Sequence, residues 1–367
     1  MQPEWLNKYA VLLTEYCLNI QPKDRVLIRS TPLAAPLILA CQKDILLKGA
    51  HCEMDIALEH TSKQFYEYSS MEQLNTPPIL YKTAVTAFNK MLSIQAPYNI
   101  HDLASVSAEK KAAYQQTLQP IKKSMMDRSA ANELDWALCN YPTQSLADAA
   151  NMTLEAYEAF IAKACFLHTE SPTESWQQLS NTQEQYVQRL NQAEVIRFVS
   201  NNADITFNTS DRIWINSNGK RNMPSGEVFT SPVEDSANGW VRFDVPSLLF
   251  GTVVTNLTLH VTDGVVCDWE CDSGHDMIEK LLNIDGANRF GEIAIGTNPH
   301  ITTPTLNTLL DEKIGGTIHM ALGASYPETG GKNVSGIHHD FVTSFNTDAE
   351  ITLDNTVVYK EGVFLKS

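Results

Sequence analysis

The chain has 367 residues, of which 43% are hydrophobic, and this is enough to build sizeable cores in two domains. Its 43 acidic and 27 basic residues give a formal net charge of -16, which repels nucleic-acid phosphates and anionic lipid surfaces. The longest apolar stretches fall well short of the roughly 20 residues that a membrane helix needs. We therefore expect neither a nucleic-acid partner nor a membrane partner.

The start of the chain and its cysteines indicate a cytoplasmic protein. The opening MQPEWLNKYA has no basic segment followed by an apolar core, so it does not resemble a signal peptide. The chain has seven cysteines, an odd number that cannot all form pairs within the chain, and they fall in predicted helices and strands. Both features are typical of reduced thiols. Cys267 and Cys271 are the only close pair, and their spacing is wrong for a CxxC zinc hook.

The first half of the chain alternates helical and strand patterns. Pro36 in the first turn and Gly49 after the last turn delimit one of the predicted helices. In chain order we predict a helix over 5–17, a strand over 26–30, a helix over 35–48, strands over 52–58 and 91–96, a helix over 107–129 and a strand over 134–139. This order predicts an α/β domain of three layers, with a mainly parallel sheet covered by helices.

The pattern changes near residue 200. Residues 152–200 read as largely helical, with Thr153 as an N-cap and Glu155 in the first helical turn. Beyond Asn201, ADITFNTS and DRIWINSN read as alternating strands, and VVTNLTLHVTDGVVCDWEC contains an Asp-Gly hairpin turn. We therefore predict an N-terminal domain over 1–200 and a C-terminal α+β domain over 201–367 with a largely antiparallel sheet.

A cluster of histidines and carboxylates lies near the C-terminus. Three of the ten histidines, His319, His338 and His339, fall within a glycine-rich stretch of the chain, together with Glu312 and Asp340. On an extended segment, side chains two residues apart point to the same face, so we expect His338 and Asp340 to converge and His339 to point away. For Glu312, an external ion pair with its neighbour Lys313 is the alternative.

Two more carboxylates occupy unusual positions for surface residues. Glu227 in NMPSGEVFTSP and Glu292 in ANRFGEIAIGTNP each follow a glycine and precede an apolar, strand-like run. A buried carboxylate without a partner is costly, and a bound cation would remove that cost. A salt bridge is the alternative, with Arg221 or Arg289 as the nearby partner.

These segments resemble one known family. NMPSGEVFTSPVEDSANG, NRFGEIAIGTN, LLDEKIGGTIHMALGASYPETGGKN and IHHD are similar to successive blocks of the aminopeptidase T and aminopeptidase S family of metallopeptidases. YPTQSLADAANMTLEAYEAF and GAHCEMDI resemble the N-terminal domain of the same family. The resemblance thus covers essentially the whole chain.

The resemblance implies a homodimeric aminopeptidase with an enclosed site. It would remove N-terminal residues, with some preference for leucine and other apolar ones, from short peptides that have a free N-terminus. The implied site holds two divalent metal ions on six residues, namely Glu227, Glu292, Glu312, His319, His338 and Asp340. Tyr326 corresponds to the active-site tyrosine of the family. The sequence departs from the family pattern at His339, which puts the shape of the substrate pocket in doubt.

The chemistry of these residue types fits that activity. Four carboxylates and two imidazoles can hold two cations with open positions for water and substrate, and such mixed ligands suit zinc, cobalt or manganese and admit magnesium. The metals would lower the pKa of a shared water towards roughly 7 and polarise the scissile carbonyl. We expect Glu292 to bridge the metals, Glu227 to help as proton acceptor and Tyr326 to donate to the oxyanion.

Two other functions remain as alternatives. His319, His338 and Asp340 alone would suit a mononuclear iron(II) dioxygenase that cleaves aromatic rings, a branch that resembles the same superfamily. A relative that has lost catalysis and uses the cleft for binding is the second alternative. A serine or cysteine hydrolase is disfavoured, because the sequence has no GxSxG elbow and no recognisable cysteine nucleophile motif.

Overall fold

A computed structural model describes residues 1–365 of the chain. These residues form two compact units. Unit 1 contains Met1–Thr173 and the short segment Gly219–Pro224, and unit 2 contains Glu174–Asn218 and the chain from Ser225 onward. Within the described residues, no helix is both long and apolar enough to cross a membrane.

The predicted helices and strands of the first half of the chain are present with small shifts of their ends, whereas residues 195–200, which the sequence predicts to be helical, form a strand that pairs on both sides. The helices are α1 (Pro3–Val11), α2 (Ala35–Leu47), α3 (Thr61–Tyr68), α4 (Met71–Leu74), α5 (Ile79–Ala87), α6 (Ala108–Ala130), α7 (Gln144–Ala149), α8 (Leu154–Ala164), α9 (Pro172–Leu190), α10 (His275–Leu282) and α11 (Thr308–Asp311). The strands are β1 (Arg25–Ser30), β2 (His51–Ile56), β3 (Lys90–Gln95), β4 (Asp135–Asn140), β5 (Val195–Ser200), β6 (Ala203–Asn208), β7 (Ile215–Ser217), β8 (Asn222–Met223), β9 (Glu227–Thr230), β10 (Asn238–Phe243), β11 (Ser247–Leu249), β12 (Thr252–Val254), β13 (Leu257–Thr262), β14 (Val265–Glu270), β15 (Phe290–Gly296), β16 (Thr317–Gly323), β17 (His338–Ser344), β18 (Glu350–Leu353), β19 (Thr356–Lys360) and β20 (Val363–Phe364).

Unit 1 is built on a parallel sheet with the strand order β2-β1-β3-β4-β8. One apolar cluster joins Leu27 and Met91 of the sheet to Val85 of α5 and Ile121 of α6. Helix α2 has Pro36 in its first turn and is followed by Gly49 at φ +76°, a conformation that favours glycine. The structure confirms the predicted α/β class and its mainly parallel sheet.

Unit 2 contains two larger antiparallel sheets and a two-stranded hairpin. The eight-stranded sheet has the order β14-β13-β10-β6-β5-β18-β19-β20, and the five-stranded sheet has the order β17-β16-β15-β9-β7. One apolar core contains side chains of both sheets, such as Phe198 and Val241 of the larger and Ile293 and Met320 of the smaller. The predicted Asp-Gly turn joins β13 to β14, and Asp263 and Gly264 both have positive φ.

The predicted boundary near residue 200 lies inside unit 2, between β5 and β6. Thr153 caps α8 as predicted, because its hydroxyl accepts a hydrogen bond from Ala156 N at 3.2 Å. Most of α9, however, belongs to unit 2, where Gln183 donates to the carbonyl oxygen of Glu227 at 2.7 Å. The helical pattern of α9 did not indicate which sheet the helix would join.

Candidate metal centre

Four strands of the five-stranded sheet bring the predicted ligands to one face. Glu227 begins β9, Glu292 lies in β15, His319 lies in β16, and His338 and Asp340 lie in β17. Because side chains alternate along a strand, the neighbours of these residues point into the apolar core of unit 2. The antiparallel register then sets the charged side chains side by side.

Small residues stand opposite the ligands and leave room between them. Asp340 pairs with Ala321, His338 with Gly323, His319 with Ala294, and Glu227 with Gly296. An alanine or glycine facing each ligand leaves little side-chain bulk on this face of the sheet. The charged side chains therefore lie close to one another in a buried part of the sheet, since every residue of β15 and β16 is buried.

Glu312 reaches the same face from the segment between α11 and β16. A Cβ atom at Gly296 would lie 2.2 Å from the carbonyl oxygen of Ile314, so only glycine allows the two backbones to approach this closely. Asn298 N also donates to Lys313 O at 3.1 Å. These contacts fix the segment against β15 and place the Glu312 carboxylate beside His319 and Asp340.

The structure brings all six predicted ligands together. They form three overlapping sets in which the donor atoms lie within 4.8 Å of one another: Glu227, Glu292 and His319; Glu292, His338 and Asp340; and Glu312, His319 and Asp340. Each of Glu292, His319 and Asp340 belongs to two of these sets. The arrangement is thus continuous and offers more donors than a single small cation needs.

Glu292 lies at the centre of the arrangement. Its Oε1 is 3.4 Å from Nε2 of His319, and its Oε2 is 3.2 Å from Nε2 of His338. Nε2 of His319 is also 3.2 Å from Glu227 Oε2, and Nε2 of His338 is 3.6 Å from Asp340 Oδ1. The two oxygens of Glu292 therefore face two different histidines.

Several buried polar atoms of these residues have no hydrogen-bond partner among residues 1–365. They are Glu227 Oε2, both ring nitrogens of His319, and Asp340 Oδ1. Buried polar groups are almost always satisfied, so unsatisfied carboxylate and imidazole atoms in one buried cluster indicate a missing ligand. Nδ1 of His338 lies 2.7 Å from the carbonyl oxygen of Ala324 and can donate its proton there, which leaves Nε2 free for a cation. The residues fit a divalent metal ion.

Comparisons with known proteins identify the family of this chain. The sequence matches the family described as thermophilic metalloprotease (M29) over residues 2–364. The chain belongs to the M29 metalloprotease family. Aminopeptidase 2 from Geobacillus stearothermophilus is 28% identical to this M29 protein, in a match that covers 97% of the chain and 94% of that relative. Family membership confirms the predicted resemblance and the prediction of a metal-dependent peptide hydrolase.

Two solved structures share the fold of this M29 protein. Wild-type AmpT from Thermus thermophilus matches with a TM-score of 0.86 and 20% identity over 99% of both chains. A 2,5-dihydroxypyridine dioxygenase from Pseudomonas putida KT2440 matches with a TM-score of 0.58 and 13% identity, over 100% of this chain and 97% of its own. At such identities the similarity concerns the fold alone, and it confirms the predicted fold class.

Lys313 is a buried neighbour of these residues, a position that the sequence patterns did not predict. The pair between Glu312 and Lys313 exists, but it is internal, because Lys313 is fully buried. Its Nζ contacts Glu312 Oε1 and lies 3.4 Å from Glu227 Oε1. The arginines proposed as alternative partners are engaged elsewhere: Arg221 contacts Asp135 and Arg289 donates to Glu234 O.

Burial and charge shift the pKa values of this cluster in opposite directions. Burial raises the pKa of the Glu312 carboxyl to about 8, although the charge of Lys313 opposes the shift. Burial acts to lower the pKa of His338, but Asp340 and Glu292 outweigh it and raise the pKa to about 11. Protons therefore compete with metal ions for these donors.

Tyr326 and His339 lie on opposite sides of the sheet. The Tyr326 ring is 4.8 Å from the His338 ring, on the metal face. Burial, reinforced by Glu292 and Asp340, raises the pKa of Tyr326 well above its usual value, so its hydroxyl stays protonated. His339 points away as predicted, and its Nε2 lies 2.8 Å from Ser247 Oγ.

Proposed function

We propose that this protein is an aminopeptidase that uses two divalent metal ions to remove the N-terminal residue of short peptides. Membership of the M29 family and the match to a relative named aminopeptidase 2 over 97% of the chain support this proposal. The observation that carries it is the position of Glu292, whose two oxygens face His319 and His338. A carboxylate in that position suits a bridge between two cations.

The six converging residues would hold the metal pair, with Glu292 shared between the two ions. The mixed oxygen and nitrogen donors suit zinc, cobalt or manganese and admit magnesium. When bound, such ions supply a nucleophile at neutral pH by lowering the pKa of water, and they polarise a carbonyl oxygen. The three ligands of a mononuclear iron site, His319, His338 and Asp340, lie among three further carboxylates, which favours the peptidase over the dioxygenase.

Two side chains, one of them a metal ligand, would transfer protons in the proposed reaction. Glu227 Oε2 is buried and has no hydrogen-bond partner in the described part of the chain, so it can accept the proton released by the attacking water. The protonated Tyr326 hydroxyl, close to the carboxylates, can donate to the developing oxyanion. Glu227 would thus act both as a ligand and as a base.

We further propose that the protein works in the cytoplasm as a homodimer. The family resemblance implies the dimer, and the exposed thiol of Cys267 with the half-buried thiols of Cys52 and Cys271 is typical of a reducing compartment. Light scattering coupled to size exclusion would measure the mass of the particle in solution. A monomeric mass at micromolar concentration would contradict the dimer.

The activity is tested by cleavage of leucyl p-nitroanilide and of a Leu-Gly dipeptide. The purified protein is first treated with a chelator and then supplied with zinc, cobalt, manganese or magnesium. We expect metal to restore cleavage in the wild type and in the control Glu270→Ala, which changes an exposed carboxylate of β14, but not in Glu292→Ala. If no metal restores cleavage, oxygen consumption with iron(II) and a dihydroxylated aromatic would identify the dioxygenase instead.

A further inference from the structure

Apolar side chains continue the metal face towards the β7 edge of the five-stranded sheet. Phe229 lies two residues after Glu227 on β9, so both side chains are on the same face. Ile215 of β7 is the register partner of Phe229, just as Ser217 is the partner of Glu227. The side chains on this face therefore change from charged at Glu227 to apolar at Phe229, two residues further along β9.

Aromatic contacts join this apolar region to the metal ligands. The rings of Phe229 and Tyr326 meet edge to face at 5.6 Å, and the Tyr326 ring lies 4.8 Å from that of His338. Ile215 and Phe229 are half-buried and Tyr326 is 37% exposed, so part of their surface is accessible. On β15, the residue opposite Phe229 is the small Ala294. We name Ile215, Phe229 and Tyr326 the apolar shelf.

We propose that the apolar shelf binds the side chain of the N-terminal residue of the substrate and selects apolar residues such as leucine. This inference rests on the proposed aminopeptidase function. The side chain of the N-terminal residue is attached to the carbon next to the scissile carbonyl, so its binding site must adjoin the metal ligands. The segment over Gly296 offers the charged Glu312 and Lys313, whereas the shelf offers aromatic and aliphatic carbon, which an apolar side chain prefers.

The ratio of kcat/KM for leucyl to that for alanyl p-nitroanilide measures this selection. With saturating metal, we expect Phe229→Ala to lower the ratio about tenfold, since a few missing carbon contacts in an apolar subsite change discrimination by that order. Ile215→Ala should lower it less, and Phe229→Leu should keep most of it. The control is Val195→Ala, which removes a partly exposed apolar side chain from the eight-stranded sheet and should leave the ratio unchanged.

A charge on the shelf gives a second, gain-of-function test. Phe229→Asp should raise kcat/KM for lysyl relative to leucyl p-nitroanilide at least tenfold, because the new carboxylate would pair with the substrate ammonium group. Circular dichroism and thermal melting establish that each variant is folded. If Phe229→Ala does not fold, Ile215→Ala and Phe229→Leu still report on the shelf.

The results of these experiments distinguish a failure of the apolar shelf from a failure of the proposed aminopeptidase function. An unchanged leucyl to alanyl ratio in Phe229→Ala and Ile215→Ala, with metal-dependent cleavage retained, would overturn the shelf and leave the aminopeptidase in place. No metal-restored cleavage by the wild type would overturn both. A reduced ratio in the shelf variants together with an unchanged ratio in Val195→Ala would establish the shelf as the specificity site.

Discussion

The substitution Lys313→Met removes a single charge from the centre of unit 2 while keeping most of the side-chain volume. The Lys313 ammonium is fully buried and lies 3.4 Å from Glu227 Oε1, and it also contacts Glu312. At an effective dielectric constant of about 20, a unit charge pair at that distance interacts by about 5 kcal/mol. Measured losses on removal of one partner of a buried pair are roughly 3–5 kcal/mol. For a unit of this size that corresponds to a fall in Tm of about 6–20 °C.

Divalent metal should reduce that loss, because metal ions would supply positive charge to the same carboxylates. Thermal melting of wild type and Lys313→Met, each with chelator and with saturating zinc or manganese, measures both effects. We expect a large fall in Tm in chelator and a clearly smaller fall with metal. The control Lys360→Met changes an exposed lysine of β19 and should shift Tm by less than about 2 °C in either condition. Equal losses with and without metal would refute the electrostatic reasoning and leave only a packing role for Lys313.

Three further predictions concern the metal ligands and their surroundings. The pKa of His338 is raised to about 11, so a metal ion must displace the proton of this residue when it binds. Metal affinity, measured by chelator competition, should therefore rise between pH 6 and 8, by about tenfold per pH unit for each proton displaced. A metal affinity that does not change with pH would contradict this prediction. Tyr326→Phe should lower kcat/KM by about 10²–10³ through kcat with little change in KM, and an unchanged kcat/KM in steady-state kinetics would exclude the tyrosine from oxyanion stabilisation. Gly296→Ala should lower metal affinity at least tenfold in calorimetric titration, because the new Cβ atom would displace Ile314 and with it Glu312. Wild-type affinity in this variant would show that metal binding does not need the close approach of the backbones at Gly296 and Ile314.

Local sequence patterns were sufficient for most of the fold of this protein. Thr153, Pro36 and the Asp263-Gly264 pair act through their own backbone neighbourhoods, so their roles as cap, first-turn residue and hairpin turn can be inferred without tertiary information. The unit to which α9 belongs could not be inferred in the same way. Helix periodicity shows that one face is apolar, but it does not show which sheet covers that face.

The candidate site, like the fold, was predictable from the sequence only where local patterns decide the structure. Two-residue alternation on an extended segment was enough to place His338 with Asp340 and to turn His339 away. The environment of Lys313 was not accessible to such reasoning, because lysine is almost always exposed and only the close approach of its segment to Gly296 buries it. An adjacent Glu-Lys pair in sequence is far commoner on a surface than inside a protein.

Side chains alternate strictly along β16 and β17, so the position of each residue in the strand decides which side of the sheet it faces. One side of each strand belongs to the apolar core of unit 2 and the other side to the charged face, so every residue of the strand contributes to one or the other. Deletion of one residue before His319 would exchange the two sides of β16 and carry Met320 towards the carboxylates. An added residue inside one of these strands would thus disturb both the core and the charged face, whereas an added residue in a connection leaves the alternation within each strand intact.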